Sequence, residues 1–158
     1  MIQDEPSPGT TSGKTNWVSG EVLVLVNYLH EHHVEQGDAS NFKLSTYALA
    51  ALAIAPFHKI GPIRTGPMCK MKWTALKWIY NAIETYHGWS GFHWDHDHGG
   101  KIEGEAAQAV WNEYISRKAC HTSIKYGNDV LRPFHKNGWE FYEQIHDIFP
   151  SGGTQGAN

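Results

Sequence analysis

The chain has 158 residues, 41% of them apolar and 13% aromatic, enough for one domain to bury a core. Its 13 Lys and Arg stand against 16 Asp and Glu, and with the 11 histidines neutral the formal charge is −3, which excludes a uniformly basic protein. The apolar runs Val22 to Val26 and Ala48 to Ala55 fall far short of the ~20 residues of a membrane span, and Met1 to Pro6 lack the apolar segment of a signal peptide, so a soluble intracellular protein is expected.

In chain order, residues 1–15 and 150–158 are polar and Gly-rich and read as disordered tails. Between them, 16–149 reads as the folded unit, a tri-helical core over 16–88 followed by a helical extension over 89–149. Ser19 as cap, Glu21 in the first turn, and Val22, Leu25, Val26 and Leu29 at i, i+3, i+4, i+7 predict a first helix that runs until Gly37. Ser45 opens a second, in which Tyr47, Ala50, Ala51 and Ile54 share a face and Pro56 is the stop. Residues 56–66 hold two prolines and two glycines and read as a loop. Pro67 then sits where a first-turn proline is tolerated, and a third helix extends to about Tyr86.

On the third helix, Cys69, Trp73, Leu76, Tyr80 and Ile83 form one apolar stripe. Lys70, Thr74, Lys77 and Asn81 lie roughly 80° to 140° away from Cys69, and Lys72 lies on the opposite flank. No acid precedes Glu84 on this helix. A Gly-rich, aromatic and acidic segment follows from Ser90 to Gly100, then a fourth helix carrying Ala107, Val110, Trp111 and Tyr114. Residues 119–137 read as a loop. A fifth helix, about Trp139 to Phe149, turns Phe141, Tyr142, Ile145, Ile148 and Phe149 inward. No stretch alternates with a period of two, so the expected fold is all-α.

Charge is partitioned along these elements. Residues 1–38 hold six acids and one base, residues 39–83 six bases and no acid, and residues 84–158 ten acids and six bases. Lys43, Lys59, Arg64, Lys70, Lys72 and Lys77 therefore have no local carboxylates, and it is local potential that a phosphate backbone feels. Three helices with the third basic fit the outline of a helix-turn-helix DNA reader, whose last helix enters the major groove.

Several blocks in order resemble a known family. Trp17, Asn41-Phe42-Lys43, Lys70-Met71-Lys72-Trp73-Thr74-Ala75-Leu76-Lys77, Ser90-Gly91-Phe92-His93-Trp94-Asp95, Val110 to Ile115 and Pro133 to Trp139 together look like the Myb/SANT-like DNA-binding domain of plants and fungi, often associated with Harbinger-type transposons. The resemblance spans about residues 16–149. It implies a nuclear, non-enzymatic Myb/SANT-like three-helix module, with an appended C-terminal helical region, that binds double-stranded DNA. Lys70, Lys72, Thr74, Lys77 and Asn81 would face the groove, and Arg64, Lys59 and Lys43 would anchor the flanking backbone. Trp17, Trp73, Leu76, Tyr80 and Trp111 would be structural core. The sequence departs from the family at Met71, where Asn is usual, in the long 56–66 connection, and at His121 to Leu131, which reads as an insertion.

The same outline also fits a protein-interaction module docking a transposase-like or chromatin partner, a reading supported by the acidic C-terminal half and by Trp78, which lies away from the core stripe. His93, His96 and His98 with Asp95 and Asp97 are candidate metal ligands by type, yet their spacing matches no closed zinc pattern, and a solvated turn without metal is expected. Cys69 and Cys120 supply neither a disulfide framework nor paired ligand spacing. No phosphate-binding glycine motif or nucleophile with a recognisable partner is present, so neither cofactor nor catalysis is expected.

Overall fold

A computed structural model describes residues 16–37, 40–89, 91–117 and 127–149; Cys120, most of the expected insertion and both expected tails lie outside the described residues. The fold is all-α. Among the described residues there is no strand, and the one β-bridge pairs Asp95 with Gly99. Among the described residues five α-helices follow in order: α1 (Ser19–Glu31), α2 (Leu44–Ile54), α3 (Gly66–Gly88), α4 (Glu105–Ser116) and α5 (Tyr142–Ile148).

The caps lie one or two residues earlier than expected. Val18 is extended and precedes α1, so Ser19 is already helical, and the Val18 N–H is satisfied by Glu21 Oε1 at 3.2 Å. That bond is half of a capping box. Lys43, not Ser45, precedes α2. At α3 the Thr65 hydroxyl accepts the Met68 N–H at 3.4 Å and Pro67 stands in the first turn, as its missing N–H allows. α1 also ends at Glu31, well before Gly37, and continues as a 3-10 turn over His33–Glu35.

The buried faces follow the helical period. Val22, Leu25, Val26 and Leu29 of α1 meet Tyr47, Ala50, Ala51 and Ile54 of α2, and Cys69, Trp73, Leu76, Tyr80 and Ile83 of α3 close the core. Gly66 lets the start of α3 come close to α2, since a Cβ there would stand 3.2 Å from the Ala48 nitrogen. Trp73 is fully buried and its indole N–H donates to the Ser40 carbonyl at 2.8 Å. Cys69 is fully buried too, and burial pushes its thiol up to about 11.

The C-terminal elements share this core. α5 begins only at Tyr142, three residues beyond Trp139, and packs against α1 and α3. Phe149 stacks on Tyr80 at 4.5 Å, Tyr80 and His146 share a hydrogen bond, and Gln36 Nε2 donates to the Ile148 carbonyl at 2.6 Å. On α4, Trp111 and Tyr114 are buried as expected, whereas Val110 is 50% exposed and Ile115 takes the inward position. The cause is the neighbour: α4 leans on a 3-10 stretch, Asn128–Phe134, within the region expected to be loop, and its seam is rotated toward that stretch.

The segment after α3 is held by backbone contacts. Gly100 N–H donates to Phe134 O at 2.9 Å, Ile102 N–H to His135 O at 3.1 Å and Gly138 N–H to Asp97 O at 3.1 Å. Two glycines make the approach possible. Gly99 has φ +61°, and a Cβ there would lie 2.2 Å from Phe134 O; a Cβ on Gly138 would lie 1.6 Å from His96 O. Both neighbours are backbone and cannot swing away. Gly138→Ala is therefore expected to lower unfolding stability by about 2–4 kcal/mol in urea titrations. Gly20→Ala, on an exposed helical position with open space around it, should instead leave stability unchanged or raise it by up to about 1 kcal/mol.

Candidate nucleic-acid interface

The six bases of the acid-free segment divide into three groups by exposure. Lys43, Lys59 and Lys70 are exposed, Lys72 and Lys77 are half-buried, and Arg64 is 3% exposed. Along α3, Lys70, Thr74, Lys77 and Asn81 recur at i, i+4, i+7, i+11 and share one outward stripe. The Thr74 hydroxyl donates to the Lys70 carbonyl at 3.0 Å, which fixes its methyl outward from the helix backbone. Lys77 Nζ donates to Asn41 Oδ1 at 2.7 Å. Asn41 is two residues from Lys43, so this bond draws the positive start of α2 beside the stripe.

The electrostatics agree with that placement. Partial burial lowers the Lys77 ammonium pKa, and the charge of Lys70 on the same face lowers it further. Met71, beside Lys70, is 69% exposed and is the most exposed apolar side chain of α3. Trp78 is half-buried. Lys72 turns to the other flank, its Nζ 6.0 Å from the centroid of the Trp17 ring.

Arg64 corrects the sequence reading. Expected to anchor a DNA backbone, it is instead withdrawn into the protein and fully engaged there. Its Nε and Nη2 each donate to Glu21 at 2.9 Å, a bidentate pair, while Nη1 donates to Pro62 O at 3.0 Å and Nη2 also to Asn16 O at 2.7 Å. Its guanidinium carbon lies 5.0 Å from the centroid of the Trp17 ring. Glu21, which the sequence offered only as a first-turn acid, is fully buried, with His58 Nδ1 at 3.7 Å. Trp17 is half-buried against the core, covering the pair; Trp73, Leu76, Tyr80 and Trp111 are buried.

The His-rich segment forms a tight turn around one carboxylate. Asp95 Oδ1 accepts the backbone N–H of Asp97 at 2.9 Å and of His98 at 2.5 Å, and the His93 ring N–H donates to Oδ2 at 3.2 Å. The His98 bond, then the His93 bond, the Asp97 bond and the charge of His98 hold its carboxyl down at about 2. The carboxylate is spent on the turn itself. Among the described residues, no group of three or more His, Cys, Asp or Glu side chains is arranged to hold a metal ion, and no helix is long and apolar enough to cross a membrane.

Compared with protein-family models, curated proteins and solved structures, the chain finds no match.

The buried pair makes two predictions. Arg64→Met alone, which strands the Glu21 carboxylate, should cost about 3–5 kcal/mol, and the double variant Glu21→Leu/Arg64→Met should recover most of it, because a buried pair replaced whole leaves no orphan charge. Burial by itself would raise the Glu21 pKa, but the Arg64 bond, the Val18 N–H and the charges of Arg64 and His58 outweigh it and hold the group below its ordinary value. Its contribution is thus complete above the unfolded carboxylate pKa of about 4.3 and disappears as pH falls through the lower folded value. Urea titrations across the acid range should show that loss in the wild type and its absence in the double variant.

Proposed function

We propose that this chain is a Myb/SANT-like, double-stranded-DNA-binding protein of the nucleus that acts by binding rather than by catalysis. The observation that carries the reading is the α3 stripe of Lys70, Thr74, Lys77 and Asn81, bonded through Asn41 to the start of α2 at Lys43. It lies in a segment, residues 39–83, that contains no acid. The one cation of that segment buried in the core is neutralised by Glu21, a carboxylate from outside it.

In this reading α3 lies in the major groove. Lys43, Lys70 and Lys77 meet phosphates on one side of it, and Lys59 meets them from the α2–α3 connection. Thr74 and Asn81 reach base edges, Asn81 with the paired donor and acceptor that suit adenine. Met71 offers an apolar contact of the kind that thymine methyl groups accept. Arg64 has a structural part: it pins the connection Ala55 to Thr65 against the start of α1, and so fixes where α3 begins. That connection is much longer than the three or four residues of a standard helix-turn-helix, and a bonded arginine gives it the rigidity that a short turn has by construction.

The test is a titration on duplex DNA over a salt series. Each lysine that neutralises a phosphate contributes roughly −0.9 to the slope of log K against log salt, so four should give about −3 to −4. Lys43→Gln and Lys70→Gln should each reduce the slope by about 1 and leave the fold intact. Lys136→Gln, exposed and outside the segment, should change nothing. A slope near zero, or one indifferent to Lys70 and Lys43, would sink the proposal.

A further inference from the structure

The second helix carries a surface that DNA binding does not use. α2 buries Thr46, Tyr47, Ala50, Ala51 and Ile54 against its neighbours, principally α1 and α3, yet its opposite side is also apolar. Leu49 is 53% exposed, Leu52 69%, and Phe57 in the following 3-10 turn 50%; Ala48 and Ala55 lie between them. Leu44, one turn before Ala48 on the same side of α2, is 65% exposed and extends the surface toward the start of the helix. A helix that is apolar all round belongs in an interior. Here one side of that interior is open.

The occupant can be argued from charge and area. From Leu44 to Phe57 there is no charged side chain. Lys43 and Lys59 only border the face; across it a basic or acidic partner finds nothing to pair with and would strand its own charges against leucine. A second copy of the same surface brings no charge to strand, and a two-fold axis across α2 lays Leu52 and Leu49 against themselves. The exposed parts of Leu44, Leu49, Leu52 and Phe57 amount to roughly 500 Å² per copy, so two copies would remove about 1,000 Å² from water, the lower edge of a specific interface. We infer that the outer face of α2 is a self-association surface through which two copies of this chain form a weak, symmetric, concentration-dependent dimer. The inference does not rest on DNA binding: the face runs between Lys43 and Lys59 and contains neither, and α3 is not part of it.

Sedimentation velocity of the full chain, from low micromolar to submillimolar concentration, tests it. The wild type should shift from monomer to dimer across that range. Leu52→Glu and Leu52→Lys, both at an exposed position, should each stay monomeric throughout with an unchanged circular dichroism spectrum. Mixed in equal amounts, the two should dimerise again, since the two-fold axis then sets Glu against Lys. Val110→Glu, a similarly exposed apolar position on α4, should dimerise as the wild type does. A wild type that remains monomeric at every concentration overturns the inference and leaves the face to a different protein. A dimer that survives Leu52→Glu, or a Glu and Lys mixture that stays monomeric, overturns it as well.

Discussion

One buried ion pair ties the start of the first helix to the start of the third. Glu21 at the start of α1 and Arg64 just before α3 meet bidentately with both side chains withdrawn from water. Two such charges are costly to desolvate, and the arrangement holds because nearly every polar atom of the pair is engaged: Val18 and His58 face the carboxylate, and the carbonyls of Pro62 and Asn16 receive the remaining guanidinium hydrogens. Trp17 covers them from one side. A pair of this kind contributes little net stability and much geometric definition. It fixes where the α2–α3 connection must run, and hence the level at which α3 starts along α2, where Gly66 lets the two backbones nearly touch.

That constraint also redistributes the charge. The sequence sets six cations in one acid-free stretch, but Arg64 is balanced internally by an acid from the preceding segment. Of the lysines, Lys70 and Lys77 share a stripe on α3, and Lys43 neighbours it at the start of α2. Lys72, on the other flank, stands over the tryptophan that covers the pair. Within a single helix, one flank is thereby committed to closing the core and the other carries the outward stripe.

Much of this was legible in the sequence, and for a definite reason. The apolar positions of α1, α2 and α3 recur with the helical period, and the burial of Leu25, Ile54 and Trp73 follows from that recurrence alone. The stripe of Lys70, Thr74, Lys77 and Asn81 follows from the same geometry. What was hidden is what joins distant residues. Glu21 and Arg64 are 43 positions apart, and nothing beside either one distinguishes a buried partner from a solvated charge. The bond from Lys77 to Asn41 and the clearance that Gly99 and Gly138 give to backbone oxygens are likewise unreadable from neighbours. Val110 misled because its spacing fits a seam on an isolated helix, whereas the seam of α4 is set by the 3-10 stretch it leans on. The shift of the caps to Val18 and Lys43 is of the same kind: an extended residue ends the preceding chain wherever tertiary contacts place it, and Ser19 and Ser45 were only locally favourable.

The fully buried thiol of Cys69 has a kinetic consequence. It sits at the first turn of α3, in the seam that the ion pair closes, and at about 11 its pKa leaves very little thiolate near neutral pH even if a reagent arrives. Reaction requires water and reagent to reach the seam, which means separating α3 from α1 and α2. The rate at which this sulfur becomes modifiable is therefore a clock for the opening of the helical core, built into the chain and needing no added label.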